Sequence, residues 1–530
     1  MRAGKRDPPE ASTAFAGMRP LALLMAQNAR LSQWRLRLPL AIGLVGPAIL
    51  ALCCAPVHAQ DHQNALQQEI AEVERQVDSI EAEALATIPS IVPGSPERLP
   101  RLGKILFFDK ELSVNRNEAC AFCHMPQTGF QGAIESLNRG AVAQPGSVRT
   151  RFSLRKPPSG AYAAFSPPLF YPDKPGEAKC SHCFIGGNFW DLRATGLRLQ
   201  SPTAMQAEGS PLNPTEMANP DPACVVRRMS ERPYRGLFET VWGPRAFDVD
   251  WPQDTDALCS RPSGNPSSAI GSEVPGPNTT PLVVNLTPKD WARVQSTFDQ
   301  MAEAIAAYEA SPEVSPFASK FDAFLAGKAE LSDAERRGYE VFNGQAKCLN
   351  CHVDPKGTQH PLFTDNSTSN LGVPRNPALA FYRETQPDMF GYVPNSQGEA
   401  VVDMGVGNFL RSPENANQAW KELAPQFDGR FRVATLRNVD KRPRPEFVKA
   451  YMHNGYFKSL KEVVHFYNTR DTLPRCASGS PGEKVSCWPP PEVAANINTN
   501  CCDLGLSDAQ EDDLVSFLGT LTDGYAAAQP

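Results

Sequence analysis

Two stretches of the chain set a pair of thiols and an imidazole at a spacing with a definite chemistry. They are Cys120-Ala121-Phe122-Cys123-His124 and Cys348-Leu349-Asn350-Cys351-His352. Thiols separated by two residues can add to the two vinyl groups of a haem, and the histidine that follows reaches the iron as proximal ligand. In a chain of 530 residues with 14 cysteines and 8 histidines, chance supplies about 0.006 such motifs. Two motifs predict two covalently bound c-type haems. Cys120, Cys123 and His124 would hold the first, and Cys348, Cys351 and His352 the second. A pair of CxxC disulfides that happen to precede histidines is the bland alternative. Cys180-Ser181-His182-Cys183-Phe184 lacks the histidine after its second cysteine. It reads as a loop disulfide, with a degenerate haem site or a metal site through His182 as the other reading.

The elements around these motifs read as helices. Leu66, Ile70, Val73, Val77 and Ile80 recur at helical spacing and make residues 60–90 a polar helical leader. Helices are predicted over 102–109, just before the first motif, and over 288–310. Ser332 with Glu335 forms a capping box that opens a helix leading into the second motif, and Ser507 with Gln510 opens the last one. Strand-like runs are short and few. The expected fold is mostly α, with two c-type cytochrome domains, long loops and the haems near the domain interface. The expected boundaries are 91–330 for an N-terminal haem domain and 331–530 for a C-terminal one. A Pro/Gly/Ser-rich stretch over 251–280 reads as an exposed excursion, with Cys224 and Cys259 as candidates to staple it.

Residues 1–59 read as a signal peptide. Arg30, Arg35 and Arg37 precede an apolar run over 38–53, and Val57-His58-Ala59 offers small residues for cleavage. The run is short and broken by Pro47, which disfavours a membrane anchor. The chain is expected to be periplasmic, with no stable membrane insertion. Eight cysteines outside the leader and the haem motifs fit an oxidising compartment, although their pairing cannot be read from sequence. The formal net charge of -6 argues against nucleic acid as a partner.

The surroundings of the motifs resemble the di-haem cytochrome c peroxidase and MauG family. The resemblance rests on Leu106-Phe107-Phe108-Asp109 and on Phe189-Trp190-Asp191-Leu192-Arg193-Ala194, where Leu192 replaces the family's usual glycine. It continues through Pro214-Thr215-Glu216-Met217, Asn370-Leu371-Gly372-Val373-Pro374 and the run from Phe431 to Val439. Tyr451-Met452-His453-Asn454-Gly455 completes it, and the whole covers roughly residues 100–522. The resemblance implies that the first haem meets hydrogen peroxide, that Glu216 is the distal acid and base, and that Gln200 assists it. It implies that Trp190 lies between the haems and carries electrons. Arg437 would neutralise a haem propionate, with a structural salt bridge as the competing reading.

The family takes the sixth ligand of the second haem fourteen residues after the position of His453. Tyr467 stands there, as in MauG-like members, where ordinary peroxidases have methionine. Met452 is the alternative ligand. A phenolate stabilises ferric and higher iron, whereas a thioether raises the potential. In ordinary members a histidine on the loop after the first motif blocks the peroxide site at rest. No histidine lies between His124 and His182, so the first haem is expected to be open. The family's calcium-binding positions align with Tyr162 and with Val448-Lys449-Ala450, which leaves calcium doubtful. The implied function is reduction of hydrogen peroxide with oxidation of a partner, either a small redox protein or a protein substrate whose side chains are oxidised. An electron-transfer di-haem cytochrome without peroxide chemistry is the alternative.

Overall fold

The computed structural model describes residues 50–92, 94–172, 182–264, 282–353 and 360–526, with side chains from residue 64 onward. The chain divides into two compact units, Met1–Ala59 and Gln60–Pro530. Most of the expected signal peptide lies outside the described residues, as do Cys180 and much of the 251–280 excursion. No helix among the described residues is long and apolar enough to cross a membrane.

The second unit is mostly helical, as expected. Its one sheet among the described residues pairs Thr368–Ser369 with Phe431–Arg432, antiparallel. A helix spans Leu50–Ala86. Its Ile70, Val73, Val77 and Ala84 are buried in the first of two large hydrophobic clusters, so the leader packs onto the body through one stripe. That cluster gathers residues from Ile70 to Val314, and the second gathers residues from Phe321 to Leu521.

Each cluster is organised by the same device, a pair of crossing helices. In the first, Arg98–Phe108 crosses Pro288–Glu309. In the second, Asp333–Asn343 crosses Asp508–Gly519. A glycine lies at each crossing. A Cβ on Gly103 would stand 1.9 Å from the Ala304 carbonyl oxygen and 2.9 Å from Tyr308 Cβ. A Cβ on Gly338 would stand 1.9 Å from the Asp513 carbonyl oxygen and 2.8 Å from Phe517 Cβ. Four residues after each glycine comes a phenylalanine packed on the same partner helix. Phe107 meets Tyr308 at 5.4 Å, and Phe342 meets Phe517 at 5.2 Å between ring centroids. A glycine-xxx-phenylalanine helix crossing thus precedes each cysteine motif.

Side-chain caps fix where the helices begin. Ser332 with Glu335 and Ser507 with Gln510 form capping boxes as expected, and Thr287 caps Pro288–Glu309. The last helix stops at Gly519. Disulfides join Cys224 to Cys259, Cys476 to Cys487, and the neighbours Cys501 and Cys502. Cys183 is disulfide-bonded as well.

The glycine crossings generate a stability test. Gly103→Ala and Gly338→Ala should each cost about 1–3 kcal/mol, because the new methyl meets main chain that cannot yield. Gly236→Ala is the control, since its Cβ meets nothing within 4 Å, and a helix gains from that exchange. Denaturant unfolding of the holoprotein measures all three, and equal stabilities would contradict the crossing geometry.

Candidate functional site

Cys120–Cys123 forms a single helical turn directly before His124, and Cys348–Asn350 forms a short 3-10 turn before Cys351 and His352. All four thiols are unpaired. Burial pushes the Cys120 and Cys348 thiols up to about 12 and that of Cys351 to about 11, so they sit neutral in apolar surroundings.

The two histidines are held alike. His124 Nδ1 lies 3.0 Å from the Phe130 carbonyl oxygen, and His352 Nδ1 lies 2.9 Å from that of Phe363. A carbonyl can only accept, so Nδ1 carries the proton and Nε2 keeps the lone pair. This is the tautomer a metal ligand requires, held by the backbone contact that such ligands commonly make. Burial also keeps both rings neutral by lowering their pKa. Two thiol pairs beside correctly protonated imidazoles fit two haems.

A cavity of about 420 Å³ opens over the second motif. Its walls include Cys348, Cys351, His352, Met452, His453 and Tyr467. Tyr467 comes from the helix Leu460–Thr469, which Ser459 caps. Burial raises its phenol pKa, and Cys348 and Cys351 are near enough to add to the effect. Met452 lines the same cavity, so both expected ligand candidates face it. His453 stacks on Phe431 with centroids 3.5 Å apart, and burial drives its pKa down to about 3.

A smaller cavity, about 100 Å³, adjoins the first motif. Cys123, His124, Glu118, Gln206, Ser210 and Glu216 are among its lining residues. Burial raises the Glu216 carboxyl pKa, against the opposing pull of Ser210, Arg193 and Asn213. Asn213 Nδ2 donates to Glu216 Oε1 at 2.7 Å. Glu216 is thus a carboxyl aimed into the cavity and steadied by neutral donors.

Trp190 and Lys156 line both cavities. The Trp190 indole Nε1–H donates to the Lys156 carbonyl at 2.9 Å, and the Lys156 ammonium lies 5.7 Å from the indole centroid. Around them runs a buried charge network. Arg155 grips Asp403 with two bonds of 2.6 Å and Asp191 with a third. Burial disfavours the Asp191 carboxylate, but Arg193 and Arg155 outweigh it and hold the pKa at about 2. The Arg432 amide donates to the Trp190 carbonyl at 2.9 Å, tying the tryptophan loop to the two-residue strand of the second half.

Two expected site residues stand elsewhere. Gln200 is exposed, with a left-handed φ of 53° and its amide turned to the Leu197 carbonyl. The glutamines that line the first cavity are Gln144 and Gln206, and Gln206 shares a helix face with Ser210. Arg437 is fully buried and outside both cavity walls. It makes a bidentate pair with Asp322, at 2.8 Å twice, and bonds the Pro361 carbonyl. Its charge is paired with Asp322, the salt bridge that competed with the propionate reading. His182 is exposed beside Tyr171 and lines neither cavity. Arg155, Lys156 and Gln206 had no motif to announce them, and Arg432 stood in the family-like run 431–439 without an assigned role.

The family model for the di-haem cytochrome c peroxidase matches residues 97–261. The methylamine utilization protein MauG of Paracoccus denitrificans (strain Pd 1222) is 32% identical over 432 residues, covering 81% of this chain and 89% of that protein. The cytochrome-c peroxidase IdrP1 of Denitromonas iodatirespirans is 25% identical over 437 residues, covering 82% and 84%. The crystal structure of the diheme peroxidase BthA from Burkholderia thailandensis E264 matches with a TM-score of 0.56 and 26% identity, covering 83% of this chain and 92% of that one. With its two thiol–imidazole sites, its cavities and these relatives, the chain belongs to the di-haem cytochrome c peroxidase and MauG family, and it is an oxidoreductase of that peroxidase type.

Proposed function

We propose that this chain is an exported, periplasmic enzyme that reduces hydrogen peroxide and takes the electrons from a protein partner. The two haems would be attached through Cys120 and Cys123 with His124, and through Cys348 and Cys351 with His352. Bound there, they supply the redox chemistry, two electrons for cleavage of the peroxide O–O bond. The observation that carries the reading is the arrangement of the walls. A carboxyl faces the first cavity, a phenol faces the second, and one tryptophan belongs to both.

Each side chain has a defined task. Glu216 takes a proton from one peroxide oxygen and delivers it to the departing one, so that water leaves instead of hydroxide. Ser210 and Asn213 hold its carboxyl in place. Trp190 gives up and regains an electron between the two sites. Tyr467 would offer a hard anionic oxygen to the haem held by the second motif, which would favour its oxidised states. The expected open first site is supported by the position of His182, which is outside the cavity. The relative named for methylamine utilization favours a partner protein whose own side chains are oxidised, and the relative named cytochrome-c peroxidase favours a small redox donor. Tyr467 inclines the reading to the first.

Glu216→Gln should slow the reaction with peroxide about 10²–10⁴-fold, followed by stopped-flow absorbance of the oxidised holoprotein. An unchanged rate would remove Glu216 from the mechanism, and inertness of the wild type would return the plain electron-transfer reading. Tyr467→Met should raise the potential of the second haem and change its absorption and EPR spectra, while Met452→Leu leaves both as they were. The reverse pattern would make Met452 the ligand.

A further inference from the structure

Burying a cation without an anion is expensive, and proteins avoid it. Several buried cations of this chain obey the rule, while Arg228 and Lys449 are buried against neutral oxygens alone. Arg155 has Asp191 and Asp403, Arg151 has Asp388, and Arg437 has Asp322. Two cations on the wall of the second cavity also lack an anion, buried Lys156, which lines both cavities, and half-buried Arg432. Lys156 is 7% exposed. Its ammonium bonds only neutral oxygens, Gln131 Oε1 at 2.9 Å and the Pro157 carbonyl at 3.0 Å. Arg432 donates to the Asn188 and Asn366 side-chain oxygens, and its Nε is buried without a partner. Neither makes an ion pair among the described residues.

The surroundings sharpen the deficit. Burial alone pulls the Lys156 ammonium down to about 7 and the Arg432 guanidinium to about 10, with no acid opposing it in either case. The buried ammonium of Lys449 repels that of Lys156. Neither acid on the same wall reaches them. Asp403 is gripped by Arg155. Glu492 accepts the Tyr382 hydroxyl and the Asp403 amide on one oxygen, its other oxygen is buried without a partner, and burial raises its pKa to about 7. Two cations thus line a cavity in which no carboxylate of the described residues pairs with either of them.

We propose that Lys156 and Arg432 bind the propionate carboxylates of the second haem. The assignment rests on the reading that a haem fills this cavity. Arg432 suits a carboxylate through its planar fork of donors, and Lys156 suits it as a point charge. Because the Lys156 carbonyl accepts the indole N–H of Trp190, one residue then ties the tryptophan to the edge of the second haem. Two carboxylates would then meet two cations.

The test uses the purified holoprotein and needs no peroxide. Haem content per chain, from a pyridine haemochrome assay, reports on the underlying reading, which fails if fewer than two haems are present. Resonance Raman bands of the haem propionates and the midpoint potential of the second haem report on the proposal. Lys156→Met and Arg432→Met should each shift a propionate bending band and lower the second-haem potential, because ferric iron no longer faces the lost positive charge. Bands and potentials that match wild type in both variants would overturn the assignment. A shift confined to the first haem on Lys156→Met would overturn the Lys156 half. Should a methionine variant not accumulate, Lys156→Arg and Arg432→Lys decide the matter. They keep the charge and change the hydrogen bonding, so the potential should hold while the bands move. Unmoved bands in both would contradict the proposal.

Discussion

The arrangement depends on one buried guanidinium. Arg155 joins Asp191, next to Trp190 in the chain, to Asp403 of the second half, through three bonds of 2.6 Å. All three groups are nearly free of solvent. Arg193 adds a second cation on Asp191, so two positive and two negative charges balance in the interior. Such a network is strong only while complete, since losing one member strands the others in a medium that solvates them poorly. It therefore holds the tryptophan loop in one place, and the wall shared by the two cavities follows from it.

The same residues that close the network carry the chemistry onward. Lys156 follows Arg155 and presents its carbonyl to the indole. Arg432 follows Phe431 on the short strand and bonds the Trp190 main chain. Phe431 in turn stacks on His453. Behind this layer the two glycine crossings bring each helix pair close enough to hold a cysteine motif at its end. The geometry of the site is thus set by two close backbone approaches and one charge cluster.

Much of this was legible in the sequence because it is local. The cysteine motifs, the capping boxes at Ser332 and Ser507, and the helical stripe of the leader are all written within a few residues. Trp190 and Glu216 were legible through family resemblance. What could not be read depends on long-range placement. Asp322 neutralises Arg437 from 115 positions away, so a propionate role looked open. Gln200 stands in the turn before a helix that starts at Pro202, whereas Gln206 lies on that helix, and only the fold decides which reaches the cavity. Gly103 and Gly338 carry no signal until their partner helices are known. Lys156 and Arg432 look like ordinary surface cations until their carboxylate partners prove to be missing.

The central claim is that the two haem sites act as one oxidised unit through their shared wall. The most direct measurement is the EPR spectrum of the fully oxidised protein, frozen shortly after one equivalent of hydrogen peroxide. The account predicts a high-spin signal from the open first haem at rest. It predicts that this signal and the low-spin signal of the second haem then fall together. Loss of the first signal alone, with the second unchanged, would contradict the sharing of oxidising equivalents across Trp190.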